Sequence, residues 1–355
     1  MRVTIWSMRR VRRWLVGVGC FIMGGLFLIC PQAMQTGVRR GLSICGDLLV
    51  PSLFPFLCLS GLLIRSGAAA SLGRRFSPLM RRLFGFSGSA AVAMILSLIG
   101  GYPAGANAVA ELCEQGDLAR AEAKRLMRCA VSAGPAFVVG GVGVGMLGSV
   151  KAGMLLLLAH WLSFAVVALC ERETGEVRNS CGTVTTSFGT AMVESVHAAT
   201  QSLLSMCGFV LLASSLSSLA DALGGSHWTV WGRCLFACLT EVSGGCVEAS
   251  GMGALAPFWI GAALGFGGLS VHGQIAARTA SFSLLDSGFF RARMLHALLG
   301  GCLSWLFFWW WQPTAVPSIA ALSAFSSQNT VAGLSGLIAM MCLCVVFLYT
   351  LPQKT

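Results

Sequence analysis

Ile99-Gly100-Gly101-Tyr102-Pro103-Ala104-Gly105-Ala106-Asn107 and Gly265-Phe266-Gly267-Gly268-Leu269-Ser270-Val271-His272-Gly273-Gln274 interrupt two otherwise apolar stretches. Pro103 removes a backbone donor and clashes with the preceding turn, and the glycines of both stretches add backbone freedom. Neither is expected to run as an uninterrupted helix. In a bilayer, freed N–H and C=O groups are tolerated only where protein or a water-filled cavity satisfies them. For one such stretch, a kink or close glycine packing between helices explains as much as a site does. Two of them favour a site, because paired Gly/Pro-interrupted segments in corresponding halves point to a transporter's binding region.

The rest of the chain makes lipid the solvent. Of 355 residues, 56% are hydrophobic and only 10% charged, and the mean hydropathy is +0.79. A globular protein carries about 25% charged residues. A water-soluble enzyme and a disordered chain are excluded, and so is a soluble nucleic-acid binder despite the net charge of +11. The basic excess lies in short runs, as the positive-inside bias requires. Arg2, Arg9, Arg10, Arg12 and Arg13 precede the first apolar run, and Arg65, Arg74, Arg75, Arg81 and Arg82 form an acid-free second cluster. Both clusters, and the N-terminus, are expected in the cytoplasm, which leaves Arg39 and Arg40 outside.

Apolar segments fall at about 14–30, 48–64, 83–110, 129–148, 150–170, 192–222, 229–252, 256–276, 291–311 and 332–350. The first, roughly 26 Å long as a helix, has no A-x-A cleavage site behind it and reads as a retained membrane helix rather than a signal peptide. Pro51 and Pro55 predict a kinked or re-entrant segment. Asp117 to Arg128 is amphipathic and predicts a helix at the membrane surface. Trp305, Trp309, Trp310 and Trp311 predict an anchor at headgroup level. The fifteen cysteines contain no CxxC and are scattered through apolar segments, so they read as packing material rather than metal ligands or a disulfide frame.

A weak internal repeat organises the chain. Leu96 to Gly101 aligns with Leu239 to Gly245, Ser132 to Phe137 with Gly265 to Ser270, and Gly153 and His160 with Gly288 and His296. The expected fold is an all-α polytopic membrane protein of two repeats. Residues 1–39 form an anchor, 40–175 and 188–311 the repeats, and 312–355 a loop and last helix. Two topologies compete. Either ten segments cross, or eight cross while 83–115 and 229–252 are re-entrant hairpins and the repeats are inverted. Only the second also keeps Arg120, Lys124, Arg125 and Arg128 inside, and it is preferred.

The expected substrate-binding residues are Gly101, Tyr102, Gly105, Asn107 and Gly134 from the first repeat, and Gly267, Gly268, Ser270, His272 and Gln274 from the second. A half-helix N-terminus in either stretch aims N–H dipoles at an anion. If the second stretch is extended, Ser270, His272 and Gln274 share one face. Glu241 and Glu248 flank Gly244-Gly245, and carboxylates at membrane depth point to a coupling ion, Na+ or a proton. No GxSxG, HExxH, Walker loop or paired aspartates suggest catalysis, so neither enzyme activity, cofactor nor metal is expected.

Six motifs occur in an order that resembles the Gate-domain, nucleoside-recognition family: Pro51 to Phe56 (PSLFPF), Gly101 to Ala106 (GYPAGA), Glu122 to Leu126 (EAKRL), Gly134 to Phe137 (GPAF), Gly141 to Gly145 (GVGVG) and Gly265 to Gln274 (GFGGLSVHGQ). The resemblance spans about residues 40 to 311. It implies a polytopic protein distantly related to concentrative nucleoside transporters, with two inverted repeats. Through the family's sporulation members it implies carriage of dipicolinate, a small aromatic dianion, across the outer forespore membrane. Asn107 stands where the family often carries Lys. A nucleoside or nucleobase carrier and a non-transporting sporulation scaffold are the alternatives.

Overall fold

The computed structural model describes residues 2–173, 187–224 and 228–311. The expected loop and final helix of 312–355 lie outside them, as does most of the polar stretch from Glu171 to Ser187. Among the described residues the chain is helical throughout, with no strand. Helices α1 (Arg2–Ile29) and α2 (Pro31–Ser43) meet at Cys30, where the axis bends by 97°. Pro31 opens α2, a position that needs no donor. A wide π-type turn, Ile44–Leu49, carries α2 into α3 (Val50–Arg65), which holds Pro55 in its interior. The Arg-rich cluster that follows is a helix, α4 (Ala68–Phe84), set off by left-handed Gly67 and Gly85. Its axis bends by 86° into the next.

Two runs of elements then share one order. In the first, α5 (Gly88–Gly100) and α6 (Tyr102–Glu114) precede α7 (Arg120–Cys129), a break, a π-helix (Ala136–Met146) and α8 (Val150–Cys170). In the second, α10 (Val230–Thr240) and α11 (Val242–Ser250) precede α12 (Ala256–Phe266), a break at Gly267, α13 (Gly268–Arg278) and α14 (Ser287–Trp311). The long helix α9 (Phe188–Gly224) lies between the runs.

The leading pair of each run folds back on itself. A methyl at Gly105 would lie 2.5 Å from the Ser97 Cβ, and one at Gly245 would lie 2.7 Å from the Cys238 Cα. In a continuous helix, residues seven or eight apart stand about 11–12 Å apart along the axis. The 13 residues of α5 span roughly 20 Å, short of the ~30 Å hydrocarbon core. Among the described residues, four spans are long and apolar enough to cross: α8, α9, the α12–α13 unit and α14. Counting each bent pair as one span raises this to six.

The core lies among α5, α7, α8, α12 and α14. Small residues bring α12 and α14 together: a Cβ at Gly265 would meet the His296 carbonyl at 2.5 Å, the close approach typical of membrane helices. Outward-facing apolar residues such as Phe21, Leu298 and Trp310 are exposed, as expected of surface that meets lipid. One expectation is corrected. Helix α7 is amphipathic, but its apolar face does not lie against lipid, because Ala123, Leu126, Met127 and Cys129 are fully buried in the core. Its apolar face meets protein, and Glu122 reaches back to accept the Ser87 N–H.

Candidate functional site

Four chain reversals or breaks converge. Gly101, at φ 85° and ψ −173°, turns α5 into α6 with a backbone suited to glycine. Gly134 sits in the break of the first run, where a Cβ would lie 3.0 Å from the Gly101 nitrogen. The second run repeats this contact. Glu241 turns α10 into α11, and a Cβ on left-handed Gly268 would lie 2.9 Å from the Glu241 Cα. In each run, therefore, the hairpin tip abuts the broken helix. The Tyr102 hydroxyl joins the runs by donating to the Leu264 carbonyl.

Three hollows follow one another through these tips. The largest, about 960 Å³, is lined by Tyr102, Asn107 and Gln274 among others, with Arg65 and Arg278 as its cations. A second, about 30 Å³, shares Tyr102, Pro103, Val271 and Gln274 with the first and adds Gly101, Gly134, Glu241, Ser243 and Ser270. A third, about 20 Å³, shares Glu241 with the second and is bounded by Arg40, Asp221, Arg233, Gly244 and Glu248. Helix α9 runs along all three. Glu194, His197, Gln201 and Ser205 face the first, Met206 and Val210 the second, Ser214, Ser217 and Asp221 the third. Steps of three and four residues hold within 194–205 and within 206–221, while the single step from Ser205 to Met206 moves the lining from one face of the helix to another.

The polar groups of the large cavity form two sets. The Arg278 guanidinium donates to Asn107 Oδ1 at 3.1 Å and to both Glu114 oxygens at 2.7 and 3.4 Å, while Asn107 Nδ2 donates to the Ser202 hydroxyl at 2.9 Å. Arg65 pairs with buried Glu111 at 3.1 Å and with half-exposed Glu194 at 3.5 Å. Two guanidiniums, each held by a carboxylate at the cavity edge, suit a ligand carboxylate that exchanges with that edge group.

The expected residues separate on inspection. Gly101, Tyr102, Asn107, Gly134, Ser270 and Gln274 reach the hollows. Gly105 lets α6 approach α5, and Gly267 and Gly268 provide the break of the second run. His272 faces elsewhere. The backbone returns to helix at Gly268, so the extended stretch does not form, and spacing two no longer aligns Ser270, His272 and Gln274. Ser270 and Gln274 stay together at the helical spacing of four, while His272 lies among Phe266, Phe289 and Phe290 and donates Nε2–H to the Phe266 carbonyl at 2.9 Å. Glu241 caps α11, accepting from the Ser243 and Gly244 N–H groups at 2.9 and 2.7 Å. Glu248 lines the third hollow.

Sequence reasoning missed Arg65 and Arg278 as cavity residues, the polar residues of α9, and Arg293. Arg293 is fully buried and donates to the Arg128, Val131 and Gly265 carbonyls. Beside it, His160 and His296, already paired by the internal repeat, stack at 4.5 Å with a 20° interplanar angle. His160 Nε2 accepts the Ala133 N–H at 2.9 Å. Outside the spans, Arg128 bridges Glu171 and Asp286 at 2.8 and 2.7 Å. Burial works against the Asp286 charge, but the Arg128 hydrogen bond and the Phe289 N–H outweigh it and hold the carboxyl below the ordinary aspartate range.

Fold and site together define an integral membrane protein in which two helical hairpins and two broken helices meet around one large cavity and two small hollows. The chain belongs to the Gate family, described as nucleoside recognition, whose model matches residues 48–225. It is similar to the sporulation integral membrane protein YlbJ of Bacillus subtilis (strain 168), at 28% identity over 326 residues that cover 80% of this chain and 79% of the relative. No solved structure matches it.

Proposed function

We propose that this protein is a secondary transporter of a small organic anion, which passes along the three hollows beside α9. The observation that carries the reading is that succession of hollows, the second of which lies where the hairpin tips meet the N-terminal ends of α6 and α13. Residues 40–175 and 188–311 are then two Gate-like repeats of inverted topology, with α5–α6 and α10–α11 as re-entrant hairpins. The ion pairs support this arrangement. With eight crossings, Arg65, Glu111 and Glu194 share the cytoplasmic side, as do Arg128, Glu171 and Asp286, while Asp221 and Arg233 share the outer side. With ten crossings, Arg65 and Glu194 would face opposite sides, and so would Arg128 and Asp286, although these pairs stand at 3.5 and 2.7 Å.

On this topology the large cavity opens to the cytoplasm and the hollow at Arg40 lies outside. Arg65 and Arg278 take the substrate's carboxylates, Asn107, Ser270 and Gln274 its remaining polar groups, and Glu241, between the second and third hollows, carries the coupling charge. Dipicolinate fits a site with two guanidiniums, and kinship to a sporulation membrane protein supports it as the cargo.

The test is uptake of labelled dipicolinate by purified protein in liposomes. Accumulation blocked by excess dicarboxylate is expected; neither movement nor binding under any Na+ or proton gradient would overturn the reading. The family's description favours a second reading, a nucleoside, and competition by uridine but not by dicarboxylates would select it. A sporulation scaffold predicts instead that folded variants with bulky residues at Gly105 and Gly268 keep their phenotype.

A further inference from the structure

All four terminal carbonyls of α12, and three of the last four of α7, already accept from donors. A helix leaves its last four carbonyls without intrahelical partners. In α12 these are Ala263, Leu264, Gly265 and Phe266. Ala263 accepts from the Gly267 N–H at 2.8 Å, Leu264 from the Tyr102 hydroxyl, Gly265 from Arg293 at 3.4 Å and Phe266 from His272 at 2.9 Å. At the end of α7, Leu126 and Cys129 accept from the Ala130 and Val131 N–H groups at 2.6 and 2.7 Å. Arg128, at 2.6 Å, and Val131 accept from Arg293.

Arg293 therefore stands where two carbonyl poles face one another. Each helix C-terminus is equivalent to roughly −0.5 elementary charge, so the two together offset about one guanidinium. This explains how Arg293 remains fully buried with no carboxylate in ion-pair range among the described residues. The Phe289 ring, 5.9 Å from the guanidinium carbon, adds a cation–π contact.

In transporters built from broken helices, unwound carbonyls and half-helix C-terminal ends are where a coupling cation is held. A dehydrated metal ion needs several free oxygens there, and here all four of α12, with Leu126, Arg128, Cys129 and Val131 at the other pole, already accept from resident donors. We propose that Arg293 is a tethered substitute for that cation, so that the protein binds no Na+ at this pole and moves its substrate without Na+. The inference rests on the transporter reading for its second half only; occupancy of the pole is a property of the folded protein. Coupling to protons, through Glu241 in the next hollow, is left open by it.

The experiment compares melting of the detergent-purified full chain in equal concentrations of NaCl, KCl and choline chloride. Wild type and Arg293→Lys are expected to melt alike in all three. A folded Arg293→Met variant, with its carbonyls uncovered, is expected to melt higher in NaCl than in choline chloride, because a ligand bound only by the native state stabilises it. A Na+-specific rise in wild type, or none in folded Arg293→Met, would overturn the proposal. If Arg293→Met does not fold, wild type and the lysine variant still decide. Dipicolinate uptake in liposomes gives the second readout. Equal rates with and without Na+ support the inference; Na+-dependent uptake overturns it and leaves the transporter standing. If no solute moves at all, the transporter reading fails while the melting comparison still tests the pole.

Discussion

Gly268 and Gly116 share the same left-handed backbone, φ +77°, but not the same surroundings, and that contrast isolates the contact between the second hairpin tip and α13. At either position an alanine pays for handedness, about 1–2 kcal/mol. At Gly116 nothing stands within 4 Å of the added methyl, so that term is the whole cost. At Gly268 the methyl would lie 2.9 Å from the Glu241 Cα, 3.1 Å from its nitrogen and 3.1 Å from the Thr240 carbonyl oxygen. These are backbone atoms, which cannot swing aside as a side chain does. Overpacking of that kind adds about 1–3 kcal/mol. Gly268→Ala is thus expected to lose about 2–5 kcal/mol and Gly116→Ala about 1–2. The gap corresponds to roughly a 5- to 150-fold difference in unfolding equilibrium. Unfolding of the two purified variants in mixed micelles, with dipicolinate uptake per folded molecule, measures both quantities. Gly268→Ala should also depress uptake, since relief of the clash must push the Glu241 tip away from the second hollow. Equal destabilisation and equal uptake in the two variants would refute the close approach and, with it, the geometry of the central hollow.

Glu241→Ala is expected to cost about 0.5–2 kcal/mol as a lost N-cap, seen as a lower melting temperature. Glu241→Gln, which keeps an acceptor, should melt near wild type yet lose uptake driven by a pH gradient; full uptake would reduce Glu241 to a cap. Arg278→Ala should raise the KM for dipicolinate about tenfold or more, the range of a charged hydrogen bond. Arg278→Lys should not restore it, because an ammonium cannot span Asn107 and a carboxylate as a guanidinium fork does; an unchanged KM in both would remove Arg278 from the site. The stabilisation from Asp286, whose carboxyl is held down by Arg128 and the Phe289 N–H against the cost of burial, is present above the ordinary aspartate value and is lost as pH falls through the lower folded value. Below about pH 4 the melting temperature should therefore fall more steeply with pH in wild type than in Asp286→Asn.

Position in the sequence explains what was legible and what was not. The breaks at Gly101 and Gly267 were visible because proline and clustered glycine act through the local backbone, which any reader of the chain can see. The extent of the second break was overstated. One left-handed glycine was enough to interrupt the helix, because Tyr102, Arg293 and His272 arrive from other segments to hold the freed carbonyls. Those donors come from residues 162 and 28 positions away and from the next turn, and only the last was in view. The polar residues of α9 are a different failure. Glu194, His197, Gln201 and Ser205, and further on Ser214, Ser217 and Asp221, each carry a readable helical period, but averaged hydropathy hides short polar faces inside a long apolar run.

Arg293 marks the limit of sequence reasoning on a membrane protein. An arginine just inside a span ordinarily sends its charge along its flexible stem to the headgroups, and Arg291, two residues earlier, is exposed. What turns Arg293 the other way is a pair of helix ends whose meeting depends on glycine contacts between α12 and α14, Gly265 against the His296 backbone among them. On the other side of His296 stands His160 of α8, so the pair first noticed as a repeat in the sequence marks the place where the two runs meet. A charge with no acidic partner is stable at that place only while both helices remain broken. Continuous α7 and α12 would satisfy their own carbonyls and leave a bare guanidinium in the core, at a cost of several kcal/mol. The buried arginine and the broken helices therefore require one another.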